Sequence, residues 1–234
     1  MQNGVCGVPV IKLPINIDKA QVLRYLGYKN TKDQNMSSMI EKKVDIAIRE
    51  ASVLAVPQIN YDFFNFVLDA KNKKIIFKEE LYFSGEYIFK NLEKAEEIVI
   101  AILTLGDKIE KKSAELFSQG DYLRGMIYDA VGSAALKDLN SSFFKKLCAK
   151  AGNEKRRVSR GFSPGSGDWS IEEQATIFKL LNAESIGVSL KESMMMAPVK
   201  SISVVYGLGK DLAMPDAEHD CVNCNLADCQ FRST

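Results

Sequence analysis

Little in this sequence points outward. The formal net charge is only +1, so no overall field draws the chain onto nucleic acid or an anionic membrane. The local run KNKK at 71–74 reads as an exposed hairpin turn rather than a binding patch. No apolar stretch approaches the ~18 residues that a membrane span requires. The opening residues MQNGVCGVPVIKLPIN lack a basic leader followed by a long apolar segment, so no signal peptide is expected and a cytoplasmic location follows by default. Histidine occurs once, at His219, and no serine has a G-x-S-x-G setting. A Ser-His-Asp triad is therefore not arguable. Paired carboxylates are common on the expected helices, but nothing singles out any pair. Internal repeats and low-complexity tracts are lacking.

What is present is the balance of a soluble globular protein. Of 234 residues, 46% are apolar and 26% charged, enough for a substantial core in one large domain or two small ones. Helical spacing follows Asp18, through Ala20, Val22, Leu23 and Leu26, and again through Met39, Val44, Ile46 and Ala47. INYDFFNFVLDAKNKKIIFKEELYF is rich in aromatic and β-branched residues and predicts two strands with a turn at 70–73. A helix opened by Ser84 or Gly85 and a buried strand ending at Gly106 come next. Two helical runs separated by Gly120 follow, the second with Leu123, Ile127, Val131, Ala134 and Leu139 on one stripe. Gly125, Gly132, Ser133, Ala134 and Ala135 keep that helix thin, which suits close packing or the approach of a ligand. KRRVSRGF predicts a strand. Ser170 with Glu173 forms a capping box before a helix at 171–182. KSISVVYGLG predicts a strand with Ile202, Val204 and Tyr206 on one face and Ser203, Val205 and Gly207 on the other. Strands and helices mix without regular βαβ alternation, so the fold class is α+β with an antiparallel or mixed twisted sheet against long helices.

Three segments could carry chemistry. RGFSPGSGDWSIEEQ, residues 160–174, sets a Gly-rich turn between a strand and a helix N-terminus. That arrangement can present backbone N–H groups to an anion, although it matches neither the P-loop nor the G-x-G-x-x-G fingerprint; a plain structural turn is the other reading. ESMMMAPVKSISVVYG places Met194, Met195 and Met196 before Pro198 and reads as a core-lining turn. HDCVNCNLADC gives Cys221, Cys224 and Cys229 as C-x2-C-x4-C, two residues after His219. Three thiols and an imidazole can close a tetrahedral zinc site, and three cysteines can hold an iron–sulfur cluster. A disulfide, a partner contact or chance clustering are the alternatives. Cys148 reads as helix packing.

SPGSGDWSIEEQATIFKLLNAESIGVSLKESMMMAPVKSISVVYG resembles the C-terminal activation (reactivation) domain of cobalamin-dependent methionine synthase. That family carries Arg-x-x-Pro-Gly-Tyr, a helix, a Leu-Thr-Glu-Ser segment with Met and Pro, and a Ser-Val-Ser strand. The matches are Pro164-Gly165, the helix at 171–182, Leu190-Lys191-Glu192-Ser193, Met196, Pro198 and Ser201-Ile202-Ser203. Upstream, RYLGY, LTLG and DAVGSAA are similar to stand-alone versions of the domain, some of which end in a cysteine cluster. The resemblance implies a curved α+β domain over residues 1–212 and a cysteine-rich tail over 213–234. It also implies a shallow groove for S-adenosylmethionine, formed around Arg160, Ser163, Pro164, Gly165, Ser166 and Tyr206, with no catalytic side chain of its own. Three positions depart from the family. Gly161 stands at the place of the arginine, with Arg160 one residue further off; Ser166 replaces the tyrosine; and Lys137 stands where stand-alone relatives tend to have an acid.

The activity so implied is reductive remethylation of cobalamin on a methionine synthase, or another corrinoid protein lacking its own activation domain. An electron donor such as flavodoxin or ferredoxin would take part. The alternative is a corrinoid-protein-binding module or redox adaptor with zinc or an iron–sulfur cluster held by His219, Cys221, Cys224 and Cys229 and a degraded S-adenosylmethionine site.

Overall fold

The computed structural model describes residues 10–28, 37–78 and 80–212. The cysteine segment, with His219, Cys221, Cys224 and Cys229, lies outside the described residues.

In chain order the elements are β1 (Val10–Ile11), α1 (Lys19–Tyr25), α2 (Ser38–Leu54), β2 (Gln58–Phe64), β3 (Val67–Asp69), β4 (Lys74–Lys78), β5 (Leu81–Ser84), α3 (Glu86–Leu92) and β6 (Glu97–Thr104). The second half runs α4 (Lys108–Ser118), α5 (Tyr122–Asn153), β7 (Arg157–Val158), α6 (Gln174–Leu180), β8 (Ser189–Leu190), β9 (Met196–Ala197) and β10 (Ser201–Gly209). The main sheet has the order β1-β2-β6-β10-β7, and every pairing in it is antiparallel. A three-stranded sheet β3-β4-β5 and the β8-β9 pair lie beside it. The α+β class expected from the sequence is the class observed.

Local chemistry starts the helices. Asp18 caps α1, its carboxylate accepting the Ala20 N–H at 2.9 Å, and Ser37 caps α2 through the Ile40 N–H. The two strands expected across 59–83 are four, because Asn65-Phe66 and Glu80 interrupt the apolar runs, while the turn falls at 70–73 as expected. Met39 and Ile46, two of the residues that gave α2 its helical spacing, are 58% and 42% exposed. The inward face of α2 runs instead through Val44, Ala47 and Ala51.

β6 and β10 are buried on both faces, and side-chain alternation divides the interior in two. Val99, Ala101 and Leu103 of β6, with Val204, Tyr206 and Leu208 of β10, face α2 and α5. Ile98, Ile100, Ile102 and Val205 face α3, α6 and the small sheet. Trp169 lies in this second core, its ring edge-on to Phe83 at 5.0 Å.

The thin stretch of α5 is filled by a lysine. Lys200, 7% exposed, crosses the helix at Gly132, and its Nζ donates to Asp129 at 2.8 Å and to Ser133 Oγ at 2.9 Å. A Cβ on Gly132 would stand 3.0 Å from the Lys200 Cε and 3.1 Å from Ile109 Cγ2. Close packing is thus the observed role of the small residues there. We expect Gly132→Val to cost about 1–3 kcal/mol through overpacking, seen as a lower urea midpoint. An unchanged midpoint would contradict this packing.

Candidate functional site

The Gly-rich loop 163–169 closes on itself. The Gly165 N–H donates to the Trp169 carbonyl at 2.8 Å, Ser166 N–H to Ser163 at 3.3 Å, and Trp169 N–H to Ser166 at 3.0 Å. Those donors are satisfied inside the loop and are not offered to an anion. Asp168 leaves the loop to cap a distant helix: its carboxylate accepts the Glu86 and Tyr87 N–H groups of α3, both at 2.9 Å. Gly85, the residue preceding α3, has no side chain for that task. The expected capping box is not formed either. Ser170 Oγ accepts the Glu172 N–H, while the Glu173 carboxylate accepts the Trp169 indole N–H at 2.5 Å and both the N–H and hydroxyl of Ser84. The second half of the loop therefore fastens α3 and β5 to the segment before α6.

The first half borders a recess of about 100 Å3 on the α5 side of the sheet. Asn140 and Phe144 contribute from α5, Arg160, Gly161 and Ser163 from the segment after β7, and Ile202, Val204 and Tyr206 from β10. Phe162 pairs with Val205 in an antiparallel bridge, so this segment extends the sheet edge. Its glycine is required by proximity. A Cβ on Gly161 would stand 2.7 Å from Val204 Cγ2, closer than real Cβ atoms come, and 3.0 Å from Tyr206 Cε1. A side chain at Gly161, the position the resemblance aligns with the family's arginine, would therefore require Val204 or the segment itself to shift.

Tyr206 forms the floor and is 1% exposed. Phe144 stacks on it with centroids 5.7 Å apart at 30°, Phe143 meets it at 6.2 Å, and its hydroxyl donates to Asn140 Oδ1 at 2.8 Å. Ser163 Oγ donates to the Ser203 carbonyl at 2.8 Å, tying the edge segment to β10.

The residues named from the sequence divide accordingly. Arg160, Ser163 and Tyr206 meet in the recess. The Arg160 guanidinium lies 5.3 Å from the Phe162 ring centroid and reaches Asn91 of α3 at 3.5 Å, on the face of the second core. Pro164 is buried, while Gly165 is exposed and Ser166 half-buried in the closed loop; none of the three lines the recess. Lys137 donates to Gln21 at 2.8 Å in a separate depression between α1 and α5. The methionine turn lines the core only in part: Met196 packs against the second core, while Met194 is half-buried and Met195 is 54% exposed. Cys148 is exposed on α5. Asn140 and Phe144 were not singled out from the sequence; the available signal was a carboxamide beside Leu139 and one turn from an aromatic, at the border of the apolar stripe. Among the described residues no group of three His, Cys, Asp or Glu side chains could hold a metal, and no helix is long and apolar enough to cross a membrane.

Residues 153–214 match the family model described as vitamin B12 dependent methionine synthase, activation domain. The crystal structure of the MetH reactivation domain bound to AdoHcy has a similar fold, with a TM-score of 0.61 and 15% sequence identity over 91% of this chain and 81% of that one. No curated protein matches the chain. The family match and the shared fold support the activation-domain resemblance read from the sequence, and the matched stretch contains the edge segment, the loop and β10.

The Asp168 cap has a pH signature. The Tyr87 N–H, and after it the Glu86 N–H, hold its carboxyl below the usual carboxylate range. A lowered folded pKa stabilises the fold above the unfolded value and loses that contribution as pH falls through the folded one. Asp168→Ala is expected to cost about 0.5–2 kcal/mol at neutral pH. The gap to wild type should narrow as the solution is acidified below about pH 4. Urea titrations at both pH values check this, and a gap that does not depend on pH would contradict the carboxylate cap.

Proposed function

We propose that the chain acts as a stand-alone reactivation subunit. It binds S-adenosylmethionine and supports reductive remethylation of the cobalamin of a methionine synthase or related corrinoid methyltransferase. One observation carries this reading: within the stretch that matches the activation domain, Gly161 lets the sheet edge lie directly on Val204 and Tyr206, making an aromatic-floored recess. The related reactivation domain was crystallised with AdoHcy, the demethylated counterpart of the substrate proposed here.

S-adenosylmethionine would supply the methyl group and the partner's cobalamin would receive it, with one electron from a donor such as flavodoxin or ferredoxin. The chain's own task is placement. Tyr206, held by Asn140 and Phe144, gives the recess a fixed aromatic floor. Ser163, tied to Ser203, keeps the edge segment at a set distance from β10. Such fixing lowers the barrier by orientation rather than by proton transfer. The domain over residues 1–212 would do this work, and the tail over 213–234 is assigned to zinc or an iron–sulfur cluster through His219, Cys221, Cys224 and Cys229.

A second reading draws on the position of the Arg160 guanidinium, over Phe162 and toward α3. Here the chain is a corrinoid-protein-binding module or redox adaptor that uses the metal tail and has lost S-adenosylmethionine binding.

Calorimetry separates the two. The first reading expects saturable S-adenosylmethionine binding, lost in Gly161→Val because a side chain there displaces the edge segment; no heat at millimolar concentrations would overturn it. Protein purified without oxygen is expected to carry zinc or an iron–sulfur chromophore. Colourless, metal-free protein with three freely titrating tail thiols would overturn the metal assignment.

A further inference from the structure

A second hollow lies beside the first turns of α5. Met126, Asp129, Ala130 and Ser133 of α5 line it, with Phe117 of α4 and Tyr25 and Leu26 at the end of α1. Its volume is about 290 Å3. None of these residues borders the recess.

Large apolar side chains stand exposed around it. Phe117 is 38% exposed, Met126 53% and Tyr122 66%. Phe117 lies against α5, since a Cβ on Gly125 would meet its ring at 3.0 Å. The Tyr122 ring is 6.3 Å from it between centroids. Singly, such residues are ordinary on a surface; side by side they mark a contact face.

This face is complementary to itself. Tyr122, Met126 and Ala130 follow one another at four-residue steps along α5, and Ser133 continues the row. The large side chains come first and the small ones after. A second copy turned end for end, about a two-fold axis between Met126 and Ala130, sets the large half of each row against the small half of the other. Both copies then fill a hollow with a bulky side chain, as an isologous contact requires, and the two helices pack ridge into groove.

The charges favour the same partner. Asp129 is the one charged residue among those lining the hollow, and Lys200 Nζ pairs with it at 2.8 Å. Close by in the chain, Asp121 pairs with Arg124 at 3.5 Å and Lys112 with Glu115 at 3.1 Å. A partner recruited by opposite charge gains little from a face whose charges are matched within the chain. A second copy, matched in the same way, meets it without like-charge repulsion.

We propose that two copies of this chain pair through this face, α5 against α5 and antiparallel, with Tyr122 and Met126 of each copy seated against the hollow of the other. The contact uses no residue of the recess, so it stands or falls independently of what the recess binds.

Sedimentation equilibrium on the full chain, under reducing conditions and from micromolar to near-millimolar concentration, tests it. A monomer–dimer equilibrium is expected. Met126→Glu brings two carboxylates together near the axis and should weaken the dimer about thirtyfold or more, with an unchanged circular dichroism spectrum. Val53→Glu, at an 84% exposed position on α2, should leave it as strong as in the wild type. A chain that stays monomeric throughout the range would overturn the proposal. So would a dimer that the folded Met126→Glu protein keeps, as it would if the cysteine tail joined the copies, or one that Val53→Glu weakens equally. The wild-type measurement decides whether the dimer exists even if Met126→Glu does not fold, and Tyr122→Lys then locates it: a dimer unaffected by that change would place the contact elsewhere.

Discussion

The structure depends on one strand being buried on both faces. β10 pairs with β6 over eight residue positions, from Ser201 to Leu208, and both sides of it are covered. A strand so placed has no freedom of register, because a one-residue slip would exchange every side chain between the two cores. Tyr206 and Val204 would move to the side of α3, and Val205 to the side of α5. The recess exists only in the present register, since its floor is the α5 side of β10. Ser201 and Ser203, the polar members of the strand, are held where they sit: Ser201 Oγ donates to Thr104 Oγ1 at 2.8 Å and Ser203 Oγ to Gln174 Oε1 at 2.6 Å. Those bonds remove the cost of burying hydroxyls in an apolar interior.

The edge segment divides its labour about this strand. Gly161 and Ser163 lie on the recess side. Phe162 and the Arg160 guanidinium lie on the other, where Phe162 packs edge-on to Tyr87 at 5.9 Å. The loop beyond then fixes α3 through Asp168 and β5 through Glu173. One border of the recess and a structural clasp thus lie within the same fifteen residues, and the polar residues of the clasp hold the segment that forms that border.

Much of this was legible in the sequence where a single physical signal dominated. Alternation in ISVVYG assigned Ile202, Val204 and Tyr206 to one face, and the helix after Asp18 and the turn at 70–73 followed from local chemistry. The activation-domain resemblance drew on Pro164-Gly165 and the strand motif, and the family model matches the same stretch. What escaped was decided by tertiary contacts. Ser170 and Glu173 have capping-box spacing, but Ser84 and Trp169 offered the glutamate more donors than the Ser170 N–H alone. Asn140 and Phe144 had no motif, because their role arises from β10 approaching α5 from a segment about sixty residues away. Gly161 looked like a missing arginine; its packing against Tyr206 is visible only once the strands are side by side. Met195 is exposed because the β8-β9 pair projects it outward, which apolar character alone could not foretell.

The central claim is that the ligand lies against Tyr206 in the recess between α5 and the edge segment. A crystal structure of the full chain with bound S-adenosylmethionine or AdoHcy tests it most directly. The account predicts the ligand in the recess bordered by Asn140, Phe144, Ser163 and Tyr206. A ligand seated on the loop 164–169, or in the depression beside Lys137 and Gln21, would contradict it.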